Sequence, residues 1–248
     1  MFKLTAANSV WHIDRPQIMG IMNITPDSFF KGSRQDNISM AVDKAGYFIE
    51  NGATVIDIGG QSTRPGAPII SDQEEIDRVL PFISAISDAF PTVLLSVDTF
   101  RSKVADSSIK AGAHIINDIS CGSFEPSILE IVASHKAAYI GMHITGRMDT
   151  MHLIEERVNV MDVLIQYFTE KIALLKSYGI NNWVIDPGFG FGKTMQENFN
   201  LVKQLSSLQC FELPILLGVS RKSSIYKTLG IAPEEALNGT TVVNTIGI

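Results

Sequence analysis

The segment WVIDPGFGFGKT, residues 183–194, joins a short apolar run to a carboxylate and a glycine-rich loop. The apolar run predicts a buried strand ending at Asp186, and the alternating glycines allow the backbone to approach a ligand closely. A plain turn whose aspartate caps the next helix is the alternative. A nucleotide phosphate loop is excluded, because only three residues separate Gly188 from Gly192 and Pro187 stands where that loop needs glycine.

Outward from this segment, short apolar runs alternate with helical patterns along the whole chain. One amphipathic stripe starts at Ala41 and closes at Gly52, and another stops at Gly179. This alternation predicts one α/β domain, residues 1–248, with a parallel sheet. We expect a (β/α)8 barrel, with a doubly wound open sheet as the alternative. The seven predicted strands cover residues 18–22, 54–58, 93–97, 114–116, 137–142, 183–185 and 215–217.

Composition narrows the class of protein. The chain has 248 residues, 45% of them hydrophobic, and a net charge of −6, which argues against a nucleic-acid partner. No apolar run approaches the roughly 20 residues that span a bilayer, so no membrane association is expected. The two distant cysteines, Cys121 and Cys210, fit a reducing cytoplasm.

Polar residues follow every predicted strand. Active sites of the barrel fold lie at the carboxyl ends of the strands, so these residues predict one convergent site. They are Asn23, Thr63 and Arg64, Asp98, Asn117, His143, Asp186, and the turn from Ser220 to Lys222.

The residue types suggest what this site binds. Asp98, Asn117 and Asp186 offer hydrogen-bond acceptors without a nucleophile and adjacent base, which suits a flat nitrogen heterocycle. Lys222 is placed to bond a ring carbonyl and to offset the acids, although a solvated lysine is the commoner situation. Arg64 lies in a loop suited to clamping an anion.

Three further interpretations concern ions and histidine. Ser220 and Arg221 suggest a second anion site, such as one for a carboxylate. Asn23 and Asp27 are oxygen ligands suited to Mg²⁺ beside a phosphate. His143 receives no catalytic role, because no other histidine has zinc-like spacing to it.

Six motifs in order resemble those of dihydropteroate synthases, and the resemblance covers nearly the whole chain. They are NITPDSF (23–29), DIGGQSTRPG (57–66), SVDT (96–99), Asn117-Asp118, DPGFGFGK (186–193) and SRKS (220–223). The resemblance implies a (β/α)8 barrel of folate biosynthesis, usually Mg²⁺-dependent, homodimeric and a sulfonamide target. Such an enzyme joins p-aminobenzoate to a dihydropterin pyrophosphate and releases pyrophosphate.

The resemblance also implies roles for individual residues. The pterin would be held by Asp98, Asn117, Met142, Asp186, Phe191, Gly218 and Lys222. Asn23, Thr63 and Arg64 would contact pyrophosphate, with Asn23 also at the metal, and Pro65, Phe191 and Ser220 would lie near p-aminobenzoate. Asp98, Asp186, Lys222 and Arg64 would carry the catalysis.

The chain departs from the family pattern at three places. Gln61 stands where glutamate is common and Met148 where proline is usual, and both should alter loop order. The sequence also stops before an eighth strand that in the family carries an arginine and a histidine. We therefore expect the natural protein to continue beyond Ile248 for on the order of 25 residues. A pterin-dependent methyltransferase or a non-catalytic pterin-binding protein remain the alternative functions.

Overall fold

The computed structural model describes residues 1–24, 34–62, 67–146 and 159–248. It opens with an antiparallel hairpin of β1 (Phe2–Ala6) and β2 (Ser9–Ile13), in which Leu4 lies opposite Trp11. Side chains alternate between the two faces of the hairpin, so that Leu4, Ala6 and Trp11 are buried while Lys3 and His12 are exposed.

The main sheet is parallel and its strands neighbour one another in chain order. The sheet consists of β3 (Ile18–Asn23), β4 (Ala53–Gly59), β5 (Leu94–Asp98), β6 (Ile115–Asp118), β7 (Ala138–Met142) and β8 (Val184–Asp186). Six predicted strands are thus confirmed to within one or two residues at each end. The seventh, near Ile215, forms only an isolated bridge to Ile185.

Helices alternate with these strands, which confirms the α/β barrel class. Within the described ranges no strand pairs with the second edge of β3, and the eighth strand of the barrel is absent, as expected. The helices are α1 (Arg34–Glu50), α2 (Asp72–Ala89), α3 (Ser102–Lys110), α4 (Ser127–His135), α5 (Val160–Ser177), α6 (Met195–Lys203), α7 (Ser223–Leu229) and α8 (Leu237–Gly247), with 3₁₀ turns at Leu205–Phe211 and Pro233–Glu235.

The interior of the barrel is divided into an apolar lower part and a polar upper part. Residues two apart on a strand face the same side, so Val55, Asp57 and Gly59 of β4 form a column inside the barrel. The lower part consists of Val55, Ile115, Ala138, Ile140 and Val184, closed by Leu4, Ala6 and Trp11 of the hairpin. The hairpin therefore seals the amino-terminal end of the barrel and leaves the carboxyl end for the polar residues.

None of the helices in the described ranges is long and apolar enough to cross a membrane.

Candidate functional site

Strand register brings three of the predicted residues to one row at the carboxyl end of the sheet. Asn23 pairs with Gly59, Gly59 with Asp98, and Asp98 with Asn117. A Cβ built on Gly59 would lie 3.5 Å from Asp98 Oδ2 and 3.6 Å from Asn23 Oδ1. Because position 59 has no side chain, the oxygens of Asn23 and Asp98 share the space above it.

Asp186 ends β8 at the same rim. Its Oδ1 accepts a hydrogen bond from Gly188 N–H at 2.7 Å, and its backbone carbonyl accepts one from His143 N–H at 3.0 Å. In the sheet it lies beside Met142, and Gly218 is close to its Oδ2. The turn after β8 therefore fixes one carboxylate oxygen and leaves the other towards Gly218.

Lys222, directly before α7, reaches back into this rim. Its Nζ lies 4.0 Å from the centroid of the Phe191 ring, a cation–π contact. Gly190 has φ +82, and a Cβ there would lie 3.2 Å from Lys222 Cδ. Glycine at 190 thus permits both the left-handed turn and the close passage of the lysine stem.

The ionisable groups of the rim influence one another. Burial raises the pKa of Asp98 well above its usual value, the charges of Asp57, Glu75 and Asp118 raise it further, and Lys222 opposes them. Burial raises the pKa of Asp186 to about 6, against the lowering effects of Gly188 N–H and Lys222.

Lys222 shifts in the opposite direction. Burial lowers its pKa, while Asp186 and Asp98 favour its charged form. The two acids and the lysine are therefore neighbours in one poorly solvated pocket, which is the environment in which perturbed pKa values mark functional sites.

Apolar side chains form one wall beside these polar groups. Met142 at the end of β7 and Ile144 just after it pack with Ile119 after β6, and Phe191 joins this cluster. Phe100 and Phe124 complete it, with an edge-to-face contact at 5.5 Å. A flat apolar ring with polar edges fits between this wall and the acids.

Lys193 holds the loop after β8 from inside, a role the sequence interpretation did not assign. Its Nζ lies 2.9 Å from His143 Nδ1 and 2.9 Å from the carbonyl oxygen of Gly188. Asn198 of α6 accepts from Gly190 N–H at 2.7 Å and donates to Ser224 Oγ at 3.0 Å. Two buried polar residues thus fix the loop that carries Phe191, and His143 takes part in this network through Lys193.

Two further buried carboxylates near the strand ends were also not assigned roles. Asp118 accepts from Ser120 and Gly122 N–H and from the Tyr139 hydroxyl, so it shapes the turn after β6. Asp57, quoted only as part of a motif, accepts from the Asn117 amide. Their position inside buried strand ends was the available signal, because a buried carboxylate needs specific partners.

Gln61 ties together the two ends of the segment that contains residues 63–66. Its Nε2 donates to the carbonyls of Ser62 and Pro68, and its Oε1 accepts from Ile70 N–H. A glutamate could not donate these two hydrogen bonds when ionised. The side chain at position 61 therefore links residues on either side of residues 63–66.

Of the remaining predicted residues, some are exposed and others lie outside the described ranges. Asn23 is exposed at the end of β3, and Ser220 is exposed in the turn two residues before Lys222. Thr63, Arg64, Pro65, Asp27 and Met148 lie outside the described residues. Among the described residues there is no group of three or more histidine, cysteine or acidic side chains suited to a metal ion.

A second concave region lies at the opposite end of the barrel. This cavity of ≈ 300 Å³ is lined by Trp11, Ile18, Val55 and Leu216, among others. Its walls are mainly apolar and belong to the lower part of the interior, whereas titratable groups converge at the carboxyl rim. We therefore place the functional site at the rim.

The fold and this rim define a pterin-binding barrel enzyme: residues 19–248 match the sequence profile of the family described as "pterin binding enzyme". The chain is 42% identical over 239 residues to the dihydropteroate synthase of Escherichia coli K12, covering 96% of this chain and 84% of the relative. It belongs to the dihydropteroate synthase family, the transferases of folate biosynthesis.

Solved structures agree with this assignment. The chain superimposes on the Yersinia pestis dihydropteroate synthase in a sulfonamide drug complex with a TM-score of 0.91 and 41% identity, covering 99% of this chain and 90% of that one. The chain superimposes on the Xanthomonas albilineans synthase with 4-aminobenzoic acid with a TM-score of 0.90 and 35% identity. This match covers 99% of this chain and 88% of that one. These similarities decide against the alternative of a pterin-dependent methyltransferase.

Proposed function

We propose that this chain condenses p-aminobenzoate with 6-hydroxymethyl-7,8-dihydropterin pyrophosphate at the carboxyl rim, with the pterin bound among Asp98, Asn117, Asp186 and Lys222. One observation carries the proposal: acids from two strands and a lysine from a third element converge on one apolar-walled pocket. Carboxylate and amide oxygens complement the amino and ring N–H groups of a pterin, and the lysine complements its carbonyl.

The walls and floor of the pocket set the position of the ring. Met142 is buried beside Asp186, and Phe191 stacks under the Lys222 ammonium group. Because Gly218 has no side chain, it does not cover Asp186 Oδ2, which lies near it. We assign Met142 and Phe191 to the faces of the pterin and Gly218 to its edge.

The chemistry follows from fixed negative charge near the reacting carbon. Breaking the bond between the pterin methylene and pyrophosphate leaves positive charge on the pterin, and Asp98 and Asp186 stabilise this charge electrostatically. The amine of p-aminobenzoate then forms the new C–N bond and releases a proton to solvent. No covalent enzyme intermediate is needed, in keeping with the lack of a nucleophile–base pair in the predicted set.

The leaving group needs positive charge and donors. We assign Asn23, Thr63 and Arg64 to the pyrophosphate, because Arg64 provides a planar set of donors suited to phosphate oxygens. Gln61 supports this assignment indirectly, since its amide bridges Ser62 and Pro68 on either side of residues 63–66.

Mg²⁺ fits the donors beside Gly59. The oxygens of Asn23 and Asp98 approach the same space there, and Mg²⁺ favours a few protein oxygens together with phosphate oxygens and water. Asn23 would hold the ion. When bound, Mg²⁺ would neutralise charge on the departing pyrophosphate.

The site for p-aminobenzoate lies outside the pterin in this proposal. Pro65, Phe191 and Ser220 would surround it, and the exposed Ser220 sits in the turn that leads to Lys222. Sulfonamides would compete at the same place. We also propose a homodimer in the cytoplasm, to be checked by light scattering for a mass of about twice the 27.1 kDa of the chain.

Pyrophosphate release after mixing both substrates tests the function. Asp186→Asn should weaken binding of the pterin pyrophosphate by about 10- to 100-fold, since a charged acceptor bond contributes roughly 1.5–3 kcal/mol. Asp88→Asn, an exposed carboxylate of α2, serves as the matched control and should leave binding unchanged. Binding of pterin without any turnover would instead support a non-catalytic pterin-binding protein, and no binding would overturn the proposal.

A further inference from the structure

Asp57 is a buried carboxylate one layer below the row of Asn23, Gly59 and Asp98. It is 5% exposed and faces the interior of the barrel from the middle of β4. Its Oδ2 accepts a hydrogen bond from Asn117 Nδ2 at 3.1 Å. The proposed mechanism assigns Asn117 to pterin binding but assigns no role to Asp57.

The chemistry of this contact determines how the Asn117 amide is turned. An ionised carboxylate can only accept hydrogen bonds, so it attracts the amide nitrogen and repels the amide oxygen. With its nitrogen held by Asp57, Asn117 directs its carbonyl oxygen away from the carboxylate. That oxygen is the acceptor that a pterin N–H requires.

The surroundings of Asp57 leave Asn117 as its hydrogen-bond partner. Asp57 Oδ1 makes no hydrogen bond within the described part of the chain, and neither does the hydroxyl of Ser96, the register neighbour of Asp57 on β5. Burial raises the pKa of Asp57, while the nearby Ser96 hydroxyl and the Asn117 amide favour its charged form.

A carboxylate with one free oxygen in a barrel interior destabilises the fold relative to an apolar residue. Strand β4 accommodates an apolar residue at its neighbouring interior position, because Val55 occupies the layer below Asp57. A purely structural role would be served better by a residue like Val55. The contact with Asn117 is the feature that distinguishes position 57.

We propose that Asp57 is a positioning residue that orients the Asn117 amide so that its carbonyl oxygen faces the pterin. This inference rests on the proposed placement of the pterin at Asn117. It makes Asp57 necessary for pterin affinity without any contact between Asp57 and substrate.

Two substitutions at position 57 give graded expectations for calorimetric binding of the pterin pyrophosphate. Asp57→Ala removes the acceptor and should weaken binding about three- to tenfold, the equivalent of one lost hydrogen bond. Asp57→Asn satisfies the Asn117 amide in either orientation, so it should halve the competent population and weaken binding only about twofold.

A double-mutant cycle isolates the contact. In an Asn117→Ala background both changes at position 57 should weaken binding clearly less than they do in the unaltered protein, because the group they orient is gone. The influence of the Asp57 charge on Asp98 is the same in both backgrounds and cancels in the cycle. Additive losses would overturn the proposal.

Controls separate this proposal from the proposed function. Asp88→Asn, the exposed carboxylate of α2, should again leave affinity unchanged. The KM for the pterin should rise in Asp57→Ala while the KM for p-aminobenzoate stays constant. If Asp186→Asn weakens binding but Asp57→Ala does not, only the role of Asp57 fails. If Asp186→Asn also has no effect, the placement of the pterin fails.

A measurement on the unaltered protein covers the case in which a variant does not fold. The side-chain amide protons of Asn117, observed by NMR without ligand, should include one that exchanges slowly because Asp57 accepts it. Two protons that exchange as fast as those of the exposed Asn8 would show an unheld amide and overturn the proposal.

Discussion

Burial raises the pKa of Asp186 to about 6. Only the ionised form accepts hydrogen bonds from two N–H groups of a pterin. The affinity for the pterin pyrophosphate should therefore be constant above pH 7 and fall about tenfold per pH unit below pH 6. Titration calorimetry between pH 5 and 8 measures this, and Asp186→Asn should remove the inflection. An affinity independent of pH in the unaltered protein would contradict the expectation.

The same residue gives the unliganded protein an unusual pH dependence of stability. The folded-state pKa of Asp186 lies above its unfolded value, so folding favours the protonated form and this contribution is lost as pH rises from about 4 to about 6. Between pH 5 and pH 7.5 the free energy of unfolding should fall by about 1 kcal/mol from this group.

Urea unfolding of the unaltered protein and of Asp186→Asn at both pH values tests this difference. Asp106 provides a contrast of opposite sign, since Lys110 and His135 lower its pKa. The stability that Asp106 contributes is present at neutral pH and is lost as pH falls. If the free energy of unfolding fell more between pH 5 and pH 7.5 in Asp186→Asn than in the unaltered protein, the sign would be wrong.

For individual residues, the sequence predicted which side chains belong to the site better than it predicted which side chains they contact. Asp98, Asn117, Asp186 and Lys222 were predicted from their positions after strands, because a parallel barrel brings strand ends to one rim. The role of Asp57 was not predicted, because it depends on the contact of Asp57 with the side chain of Asn117 on another strand. That information lies in strand register, which a single sequence does not contain.

At the scale of elements, the loop after β8 depends on Gly188. Its φ is +70, and a Cβ there would lie 1.9 Å from the carbonyl oxygen of His143. Gly188→Ala should displace the loop, separate Phe191 from Lys222 and weaken pterin binding at least tenfold, besides lowering stability. Gly179→Ala is the matched control, because Gly179 has φ +81 but no atom within 4 Å of a built Cβ.

The control variant should lose only about 1–2 kcal/mol of stability through backbone strain, with unchanged pterin affinity. Thermal melts and calorimetry on both proteins measure the two effects. Equal losses of affinity in Gly188→Ala and Gly179→Ala would indicate that the collision with His143 is not what matters.

The elements show where periodicity suffices and where it fails. The six parallel strands were predictable because each contains a short apolar run, and in all of them except β3 that run is largely buried. The hairpin was not predicted, although residues 2–6 alternate in polarity and a two-residue connection separates them from residues 9–13, which is a recognised hairpin signal. α2 also continues through Pro81, because packing of its buried face offsets the lost hydrogen bond.

At the scale of the molecule, the hairpin and the candidate site at the carboxyl rim occupy opposite ends of one barrel. Trp11 is 7% exposed and its Nε1 donates to Gln17 Oε1 at 2.6 Å. Trp11→Ala should lower the free energy of unfolding by about 3–5 kcal/mol, as for other buried aromatic residues. Pterin affinity should change less than twofold, because the lower interior does not touch the rim.

The exposed Val10 on the same strand gives the control variant Val10→Ala, which should change neither quantity by much. Denaturant unfolding and calorimetry again provide the measurements. If Trp11→Ala abolishes pterin binding in protein that is still folded, the two ends of the barrel are coupled and the division into independent halves is wrong.

The raised carboxyl pKa values at the rim and the lowered pKa of Lys222 mean that burial of these charged groups destabilises the native protein when no ligand is bound. Hydrogen bonds from substrate N–H groups offset this cost, and a ligand at 100 times its Kd adds about 2.7 kcal/mol to stability. Cellular proteases degrade chains while they are unfolded, so the lifetime of this polypeptide should follow the supply of its pterin substrate. Scarcity of the precursor would then reduce the amount of enzyme as well as its rate of turnover.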